Sequence, residues 1–331
     1  MYELVTLARG GVLLTVWAVA AGWPRGRLAA RLRGDGWQRI CRGAWAVPGK
    51  EVDWRVRAGA VQLLRPGLVC SHRTAAALHR VELLAGGAAG TGGAEGPEPL
   101  EFTGRGGGAS GGWIRVYGAG LLTDRDCVVR RGLRVTSPAR TVADLIRAAA
   151  TREEAVVVAD SALSRRFVAG LRREPVVDRE ELAAALAEPR RPGGPRARRR
   201  LPLAHAGSGS PAETVARLRM RDVGLFPEVQ PALRTAAGRV LHPDFYFRAA
   251  GLVVEIEGFA FHGTRQAHER DVRRFNELQN CPGVRRVLRF TAREVFGRPD
   301  RMTATVREAL RALGAPGEPQ RAAPDAAGAA P

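Results

Sequence analysis

Two adjacent segments near the C-terminus alternate between apolar and polar positions: 239–247 (RVLHPDFYF) and 252–258 (LVVEIEG). Alternation with a period of two is typical of β-strands, because successive side chains of a strand point to opposite faces. The pattern therefore predicts a hairpin with a turn at 248–251. A turn centred in this segment places Asp244 directly opposite Glu255, where like charges repel.

Helix and strand patterns flank this hairpin. Ser210, Pro211 and Glu213 form a capping-box sequence with proline at the first helical position, which predicts the start of a helix. The other predicted elements are a charged amphipathic helix at 267–280, a strand at 284–291 and a closing helix at 299–313. The region thus has the order helix–strand–strand–helix–strand–helix.

Residues 1–50 show the tight helix–glycine–helix spacing of a helix-turn-helix. The predicted elements are helices at 16–21 and 24–33 and, as a wing, strands at 37–42 and 44–48. Leucines of the second helix face inward, which leaves Arg25, Arg27, Arg31 and Arg33 for solvent or phosphate. The alternative interpretation is a small basic helical subdomain that contacts only protein.

The remaining chain divides by composition. Residues 51–170 form a mixed α/β middle region, and 171–209, rich in Arg, Pro and Gly, are expected to be a linker, with a weak helix as the alternative for 187–209. The C-terminal domain spans 210–313, and 314–331 are expected to be a disordered tail. The elements predicted in the middle region include helices at 54–64, 74–83, 139–150 and 153–163 and strands at 68–70, 100–103, 113–117 and 133–136. The predicted fold class is α/β (α+β) with several domains.

The charge of the chain is strongly positive. Its 331 residues include 52 Lys and Arg against 33 Asp and Glu, a net charge of +19. Nearly all the basic residues are arginine, whose forked, permanently charged head suits phosphate. This balance favours a polyanionic partner, nucleic acid first and an acidic membrane surface second. The alternative is a basic proteome whose proteins carry arginine without using it.

One stretch, Gly11–Gly22 (GVLLTVWAVAAG), has the composition of a membrane segment. It is too short to span a bilayer, which takes about 20 apolar residues. We interpret it as a buried helix, with the hydrophobic region of a signal peptide as the alternative. The four cysteines are far apart and form no CxxC pair, so the sequence indicates neither a zinc site nor a disulfide framework. We expect a cytoplasmic protein with no membrane partner.

The polar face of the predicted hairpin collects three carboxylates, those of Asp244, Glu255 and Glu257, and His262 lies just beyond. Carboxylates grouped on apolar strands need a partner, either arginine or a hard divalent cation such as Mg²⁺. His262 titrates near neutrality and is a candidate for proton transfer or a hydrogen-bonded structural residue. The alternative to a metal site is a solvated strand face whose carboxylates pair with arginines.

Roughly residues 210–312 resemble the PD-(D/E)xK restriction-endonuclease-like fold, specifically very-short-patch-repair-like domains of unknown function. The matching motifs are SPAE at 210–213, HPDF at 242–245, VVEIEG at 253–258, ERDVRRFN at 269–276 and VLRFT at 287–291. The resemblance implies a metal-dependent phosphodiesterase that uses Mg²⁺ or Mn²⁺.

The resemblance also implies roles for single residues. Asp244 and Glu255 match the motif acids that bind the metal ion, and Glu213 matches a first-helix glutamate that sometimes completes the site. Plain helix capping is the alternative for Glu213. Glu257 stands where the wider superfamily often has lysine, although relatives of this branch commonly carry an acid there. The resemblance implies catalytic roles for Glu257 and His262.

Arginines of the predicted helix at 267–280 are candidates for contacts with the nucleic acid. Arg270, Arg273 and Arg274 either neutralise phosphate or simply solvate the helix.

The N-terminal part resembles AbiEi-type antitoxins of type IV toxin–antitoxin systems over about 150 residues. The matching segments are 14–48, SHRTAAALHR at 71–80 and VTSPARTVADL at 135–145. The resemblance implies a winged helix-turn-helix that binds DNA and represses its own operon, and a nucleotidyltransferase toxin as partner. His72 and His79 lack acidic or cysteine company, so we interpret them as structural.

Two functions follow as hypotheses. The first is a DNA-binding protein with a C-terminal endonuclease-like domain, in DNA repair, defence or a toxin–antitoxin context. The second is a DNA-binding regulator or antitoxin whose C-terminal domain has lost catalysis. A nucleic-acid-binding scaffold without a role in defence is a third interpretation.

Overall fold

The structure is a computed structural model that describes residues 2–84, 96–105, 110–118, 122–168, 170–189, 191–257 and 265–314. The elements up to residue 148 are α1 Tyr2–Thr6, β1 Val12–Leu14, α2 Thr15–Ala20, α3 Arg25–Gly34, β2 Gln38–Cys41, β3 Ala44–Ala46, α4 Trp54–Leu64, β4 Val69–Cys70, α5 His72–His79, β5 Leu100–Gly104, β6 Ser110–Gly111, β7 Ile114–Gly118, β8 Cys127–Arg130, β9 Leu133–Thr136 and α6 Pro138–Ala148.

The later elements follow in chain order. They are α7 Arg152–Leu163, β10 Arg166–Val168, β11 Leu171–Arg173, α8 Arg179–Ala187, α9 Gly194–Arg200, α10 Pro211–Asp222, β12 Glu228–Val229, β13 Leu233–Arg234, β14 Val240–Leu241, β15 Phe245–Phe247, β16 Leu252–Glu257, α11 Arg265–Gln279, β17 Arg286–Thr291, α12 Ala292–Gly297 and α13 Pro299–Ala312. The chain is therefore a mixed α/β protein.

The chain divides into two compact units. Unit 1 comprises Met1–Ala150 and Val176–Leu201, and unit 2 comprises Thr151–Pro175 and Pro202–Pro331. The division differs from the expected boundaries. Helix α7 belongs to unit 2, α8 and α9 belong to unit 1, and the chain from Pro202 onward belongs to unit 2 again. The predicted tail at 314–331 lies outside the described residues apart from Gly314.

A small sheet with the order β1-β3-β2 packs with α2 and α3 at the start of unit 1. The expectation of one buried helix over Gly11–Gly22 is wrong, since Val12–Leu14 form a strand that pairs with β3 and α2 begins only at Thr15. Apolar residues in a row satisfy either a buried strand or a buried helix, and pairing with β3 decides between them. Leu28 and Leu32 of α3 face inward as expected.

The larger sheet of unit 1 has the order β6-β7-β5-β4-β9-β8. Phe102 and Val135 on neighbouring parts of this sheet are fully buried and pack with Leu68. The predicted helix at 54–64 and strand at 133–136 are confirmed at both ends. Within the described residues, no helix combines the length and the apolar character that crossing a bilayer requires.

The expectation of a linker at 171–209 is wrong, because this segment contains β11, α8 and α9. Asp178 caps α8 through a capping box with Glu181, and Leu182 and Leu186 form a buried stripe four residues apart. The arginines that suggested a solvated linker bind backbone carbonyls instead. Arg200, for example, donates to the carbonyl of Ala149 at 2.9 Å.

The main sheet of unit 2 has the order β12-β15-β16-β17. The predicted hairpin register is confirmed, because β15 and β16 are antiparallel with Phe245 opposite Val254 and Phe247 opposite Leu252. Strand β17 runs parallel to β16, after the crossover through α11. This arrangement sets Asp244, just before β15, beside Glu255 of β16.

The first strand of the predicted hairpin is interrupted. Pro243 has no N–H to donate to a neighbouring strand, and the chain pairs separately as β14 before it and β15 after it. Leu241 consequently packs with Tyr246 and Val253, whereas unbroken alternation along 239–247 would place it on the face of Phe245.

Candidate functional site

Hydrogen bonds to two neighbouring segments of the chain hold Asp244, which lies just before β15. Its N–H donates to Oε1 of Glu255 at 3.3 Å, and its Oδ2 accepts the N–H of Ile256 at 2.7 Å. Its carbonyl accepts the N–H of Gln230 at 3.0 Å. The Asp244 side chain is therefore directed across the hairpin to β16, which is where the strand register places Glu255.

Glu213 reaches the same place from α10. The Ser210 hydroxyl caps α10 by accepting the N–H of Glu213 at 3.2 Å. The Glu213 carboxylate accepts the N–H of Gly209 at 2.6 Å and lies 3.4 Å from Nε2 of Gln230. Only 8% of Glu213 is exposed. The side-chain cap of α10 is thus the Ser210 hydroxyl, while the Glu213 carboxylate binds the N–H of Gly209, the residue before the cap.

The electrostatics show that three carboxylates converge at this point. Burial raises the pKa of Asp244 well above its usual value, and the negative charges of Glu213 and Glu255 raise it further. Burial likewise raises the pKa of Glu213, against hydrogen bonds that lower it. We call Glu213, Asp244 and Glu255 the carboxylate cluster.

Arg274 of α11 closes one side of the carboxylate cluster. Its Nη1 lies 2.6 Å from Oε2 of Glu255, and its Nη2 donates to the carbonyl of His242 at 2.8 Å. Burial lowers the pKa of Arg274, but the hydrogen bond and the charge of Glu255 outweigh this effect and leave it raised. The crossover helix lays this side chain against β16, where it forms an ion pair within the protein, and its contact with phosphate stays a prediction.

Glu257 has a separate partner. Its Oε1 lies 2.7 Å from Nε of Arg289, and Arg289 also binds Asp271 at 2.7 Å and stacks over the ring of Phe275. The sequence placed Glu257 with Asp244 and Glu255, but in the structure the parallel neighbour β17 supplies its counter-charge. His262 lies outside the described residues, as does the side chain of Arg270.

The predicted nucleic-acid contacts of the N-terminal region lie on α3. Arg25 and Arg27 are exposed, and Arg31 is exposed but forms an ion pair with Asp35 at 2.8 Å. Arg25 and Arg27, like the exposed Arg33, form no ion pair within the described residues.

Sequence reasoning missed Gln230, which joins the parts of the carboxylate cluster. Besides its contacts with Glu213 and Asp244, its carbonyl lies 3.2 Å from Nδ1 of His242. Its backbone adopts a φ of +48°, a left-handed conformation that is uncommon for a residue other than glycine. A single glutamine in a loop carries no pattern from which this role follows.

The carboxylate cluster suits a hard divalent cation in the chemistry of its donors, which are carboxylate oxygens. The geometry of the carboxylate cluster does not match this chemistry as well. Across the part of the chain that the structure describes, no three His, Cys, Asp or Glu side chains are grouped so as to hold a metal ion. Arg274 provides the positive charge beside Glu255 instead.

Comparison with known proteins gives little further information. No protein-family model matches the chain, and no curated protein matches it. Its fold has some similarity to the crystal structure of the RV2827C protein from Mycobacterium tuberculosis, with a TM-score of 0.39 and 16% sequence identity over 70% of this chain and 83% of that one.

Proposed function

We propose that this chain binds nucleic acid and that unit 2 hydrolyses phosphodiester bonds with the help of Mg²⁺ or Mn²⁺. The observation that carries the proposal is the approach of Glu213 and Glu255 to half-buried Asp244, whose pKa is raised by burial and by these two charges. A titratable group perturbed by burial and by neighbouring charges is typical of functional sites. In this proposal residues 1–50 form a winged helix-turn-helix and 210–313 an endonuclease-like domain.

Asp244 and Glu255 are the proposed metal ligands, with Glu213 as a third donor. A bound divalent ion supplies Lewis acidity and lowers the pKa of its water. The protein orients Asp244 through the N–H of Ile256 and orients Glu213 through the N–H of Gly209. These two hydrogen bonds fix the carboxylates before a ligand arrives, which reduces the cost of ordering them.

Cleavage of plasmid DNA tests the proposal directly. We expect the purified full-length chain to nick supercoiled plasmid in Mg²⁺ or Mn²⁺ and to lose this activity in EDTA. Binding of a short duplex, measured in EDTA, should persist, since arginine contacts need no metal ion. Nicking that continues unchanged in EDTA, or no nicking with either metal, would contradict a metal-dependent phosphodiesterase.

Arg274 and a metal ion compete for Glu255, which gives a second prediction. Arg274→Gln removes the cation next to the carboxylate cluster, so the variant should lose about 1 kcal/mol of unfolding free energy in EDTA. It should also gain more thermal stability from Mg²⁺ than the natural chain does, because the ion binds the folded state only. Differential scanning fluorimetry across a Mg²⁺ titration measures both effects.

Arg273→Gln is the matched control for this experiment. Arg273 lies next to Arg274 on α11 and is exposed, so the substitution removes the same charge at a distance from Glu255. Equal responses of the two variants to Mg²⁺ would show that overall charge, rather than the Arg274–Glu255 pair, sets the response.

A second candidate function is a DNA-binding regulator or antitoxin without catalysis, with a nucleotidyltransferase toxin as a proposed partner. The ion pairs of Glu255 with Arg274 and of Glu257 with Arg289 favour it, since each of these acids already has a counter-charge. A shift of the chain's own promoter DNA without nicking in Mg²⁺ or Mn²⁺ supports the regulator.

A further inference from the structure

We propose that unit 1 binds the phosphodiester backbone of nucleic acid in two adjoining clefts, which we call the arginine track. The first cleft, of about 510 Å³, is lined in part by Arg9, Arg55, Arg131 and Arg134. The second, of about 360 Å³, is lined in part by Arg65, Arg105 and Arg134. Arg134 and Pro66 line both clefts, so the two adjoin at these residues. The proposal is independent of any catalysis by unit 2.

Most of the positive charge of the arginine track has no local counter-charge in the described part of the chain. Among the described residues, Arg55 is the one member with a carboxylate partner, Asp53 at 3.0 Å. Elsewhere in the same unit arginines are neutralised, as where Arg140 binds Asp144 at 2.6 Å. Like charges gathered without counter-charges repel, and an anionic ligand relieves that repulsion. A high arginine content of the chain does not by itself explain why most arginines of the arginine track have no carboxylate partner among the described residues.

Several of these arginines are held in place before any ligand binds. Arg9 lies over the ring of Trp17 at 4.7 Å, and Arg55 lies over that of Trp54 at 4.5 Å. Arg134 donates from Nη1 to the carbonyl of Pro66 at 3.1 Å. A guanidinium that is already ordered loses less entropy when it binds phosphate.

The backbone of Arg134 is also fixed, by the side chain of Gln62. Gln62 Oε1 accepts the N–H of Arg134 at 3.0 Å, and its Nε2 donates to the carbonyl of the same residue at 2.6 Å. The Gln62 side chain thus connects α4 to β9 at Arg134, the residue that lines both clefts.

The turn between β8 and β9 presents Arg131 in an unusual conformation. Arg130 pairs with Leu133, so the turn consists of Arg131 and Gly132, with φ of +52° and +77°. Two-residue hairpin turns of this kind favour Asn or Gly at the first position, and arginine there is strained. The strain is retained at a residue whose exposed side chain lines the first cleft.

The shape of the arginine track favours a polymer over a small ligand. Two open clefts that share a wall offer successive positions for phosphates, and positive side chains occur along both. Contacts of this sort position a nucleic acid without reading its sequence. They would add affinity to any base contacts made by α3.

Binding measured in EDTA tests the arginine track separately from cleavage. The probes are a 20-base-pair duplex DNA of arbitrary sequence, a duplex RNA of the same length, and ATP as a competitor. The variant is Arg105→Ala with Arg131→Asn, one change in each cleft, and asparagine tolerates the left-handed conformation. Neither arginine has a hydrogen bond or ion pair within the described residues that the substitution would break. The matched control is Arg125→Ala with Arg199→Ala, two exposed arginines of unit 1 that line neither cleft.

We expect the variant to bind DNA or RNA at least about tenfold more weakly at low salt, and the slope of log affinity against log salt to fall by about 2. The control should differ from the natural chain by less than about twofold. The duplex that the natural chain binds more tightly shows whether the preferred phosphodiester backbone is that of DNA or of RNA. The proposal is wrong if the control weakens as much as the variant, if neither weakens, if neither duplex binds, or if ATP displaces the duplex at micromolar concentration.

Discussion

Asp244→Asn should lose metal-dependent cleavage by roughly a thousand-fold while raising the melting temperature of the protein by a few degrees. The amide cannot supply a carboxylate to a cation, so activity falls. It keeps the oxygen that accepts the N–H of Ile256, and it removes a buried charge that Glu213 and Glu255 repel. Function and stability therefore move in opposite directions, as at other sites that hold destabilised groups.

The gain in stability should depend on pH with a definite sign. The folded state raises the pKa of Asp244, so it retains a proton that the unfolded chain releases above about pH 4. The contribution of Asp244 to unfolding free energy then falls as pH rises through the folded pKa. The melting temperature of Asp244→Asn should exceed that of the natural chain by a margin that grows with pH and then levels off.

Glu257→Gln is the control for stability, because Glu257 pairs with Arg289 at 2.7 Å outside the carboxylate cluster. Its melting temperature should equal or fall slightly below that of the natural chain. If Asp244→Asn melted lower than the natural chain from pH 5 to pH 9, repulsion within the carboxylate cluster would not be the dominant energy there.

Asp160→Asn is expected to cause the largest loss of stability. Asp160 of α7 is fully buried. Its Oδ1 accepts the N–H of His205 at 2.7 Å, and its Oδ2 binds the Thr214 hydroxyl at 2.8 Å and Nη2 of Arg217 at 2.7 Å. Asparagine supplies one acceptor oxygen in place of two and leaves Arg217 without its counter-charge. Removing one partner of a buried pair costs about 3–5 kcal/mol.

Urea unfolding of Asp160→Asn measures this loss, with Asp222→Asn as the matched control. Asp222 binds Arg152 through two contacts of 2.6 Å in the same unit, but near the surface. Its loss should cost about 1 kcal/mol or less. Equal losses for the two variants would show that burial does not distinguish these pairs.

The carboxylate cluster follows in part from the sequence. A turn centred in 248–251 between two alternating segments gives the register of β15 and β16, so the approach of Asp244 to Glu255 was predictable from local pattern. The capping sequence likewise located the beginning of α10. Both features depend on short-range rules that act within a few residues.

The partners of the acids were not predictable, because they come from elements distant in sequence. Arg274 reaches Glu255 only through the crossover of α11, and Arg289 reaches Glu257 only because β17 lies parallel to β16. Composition was also a poor guide to the segment 171–209, where arginine side chains cap helix carbonyls. The local pattern of Gly11–Gly22 fitted two structures, and only the pairing with β3 selected one.

The division of the chain into two discontinuous units limits how the protein can be dissected. A recombinant fragment that begins at residue 202 would contain Arg217 but not Asp160, since α7 precedes the return of the chain to unit 1. The fragment would expose the α10 surface that α7 covers. It would also leave the Arg217 guanidinium without the Asp160 carboxylate. Studies of the C-terminal half in isolation therefore require co-expression or fusion of residues 151–175, and failure of the shorter fragment to fold would say nothing about its chemistry.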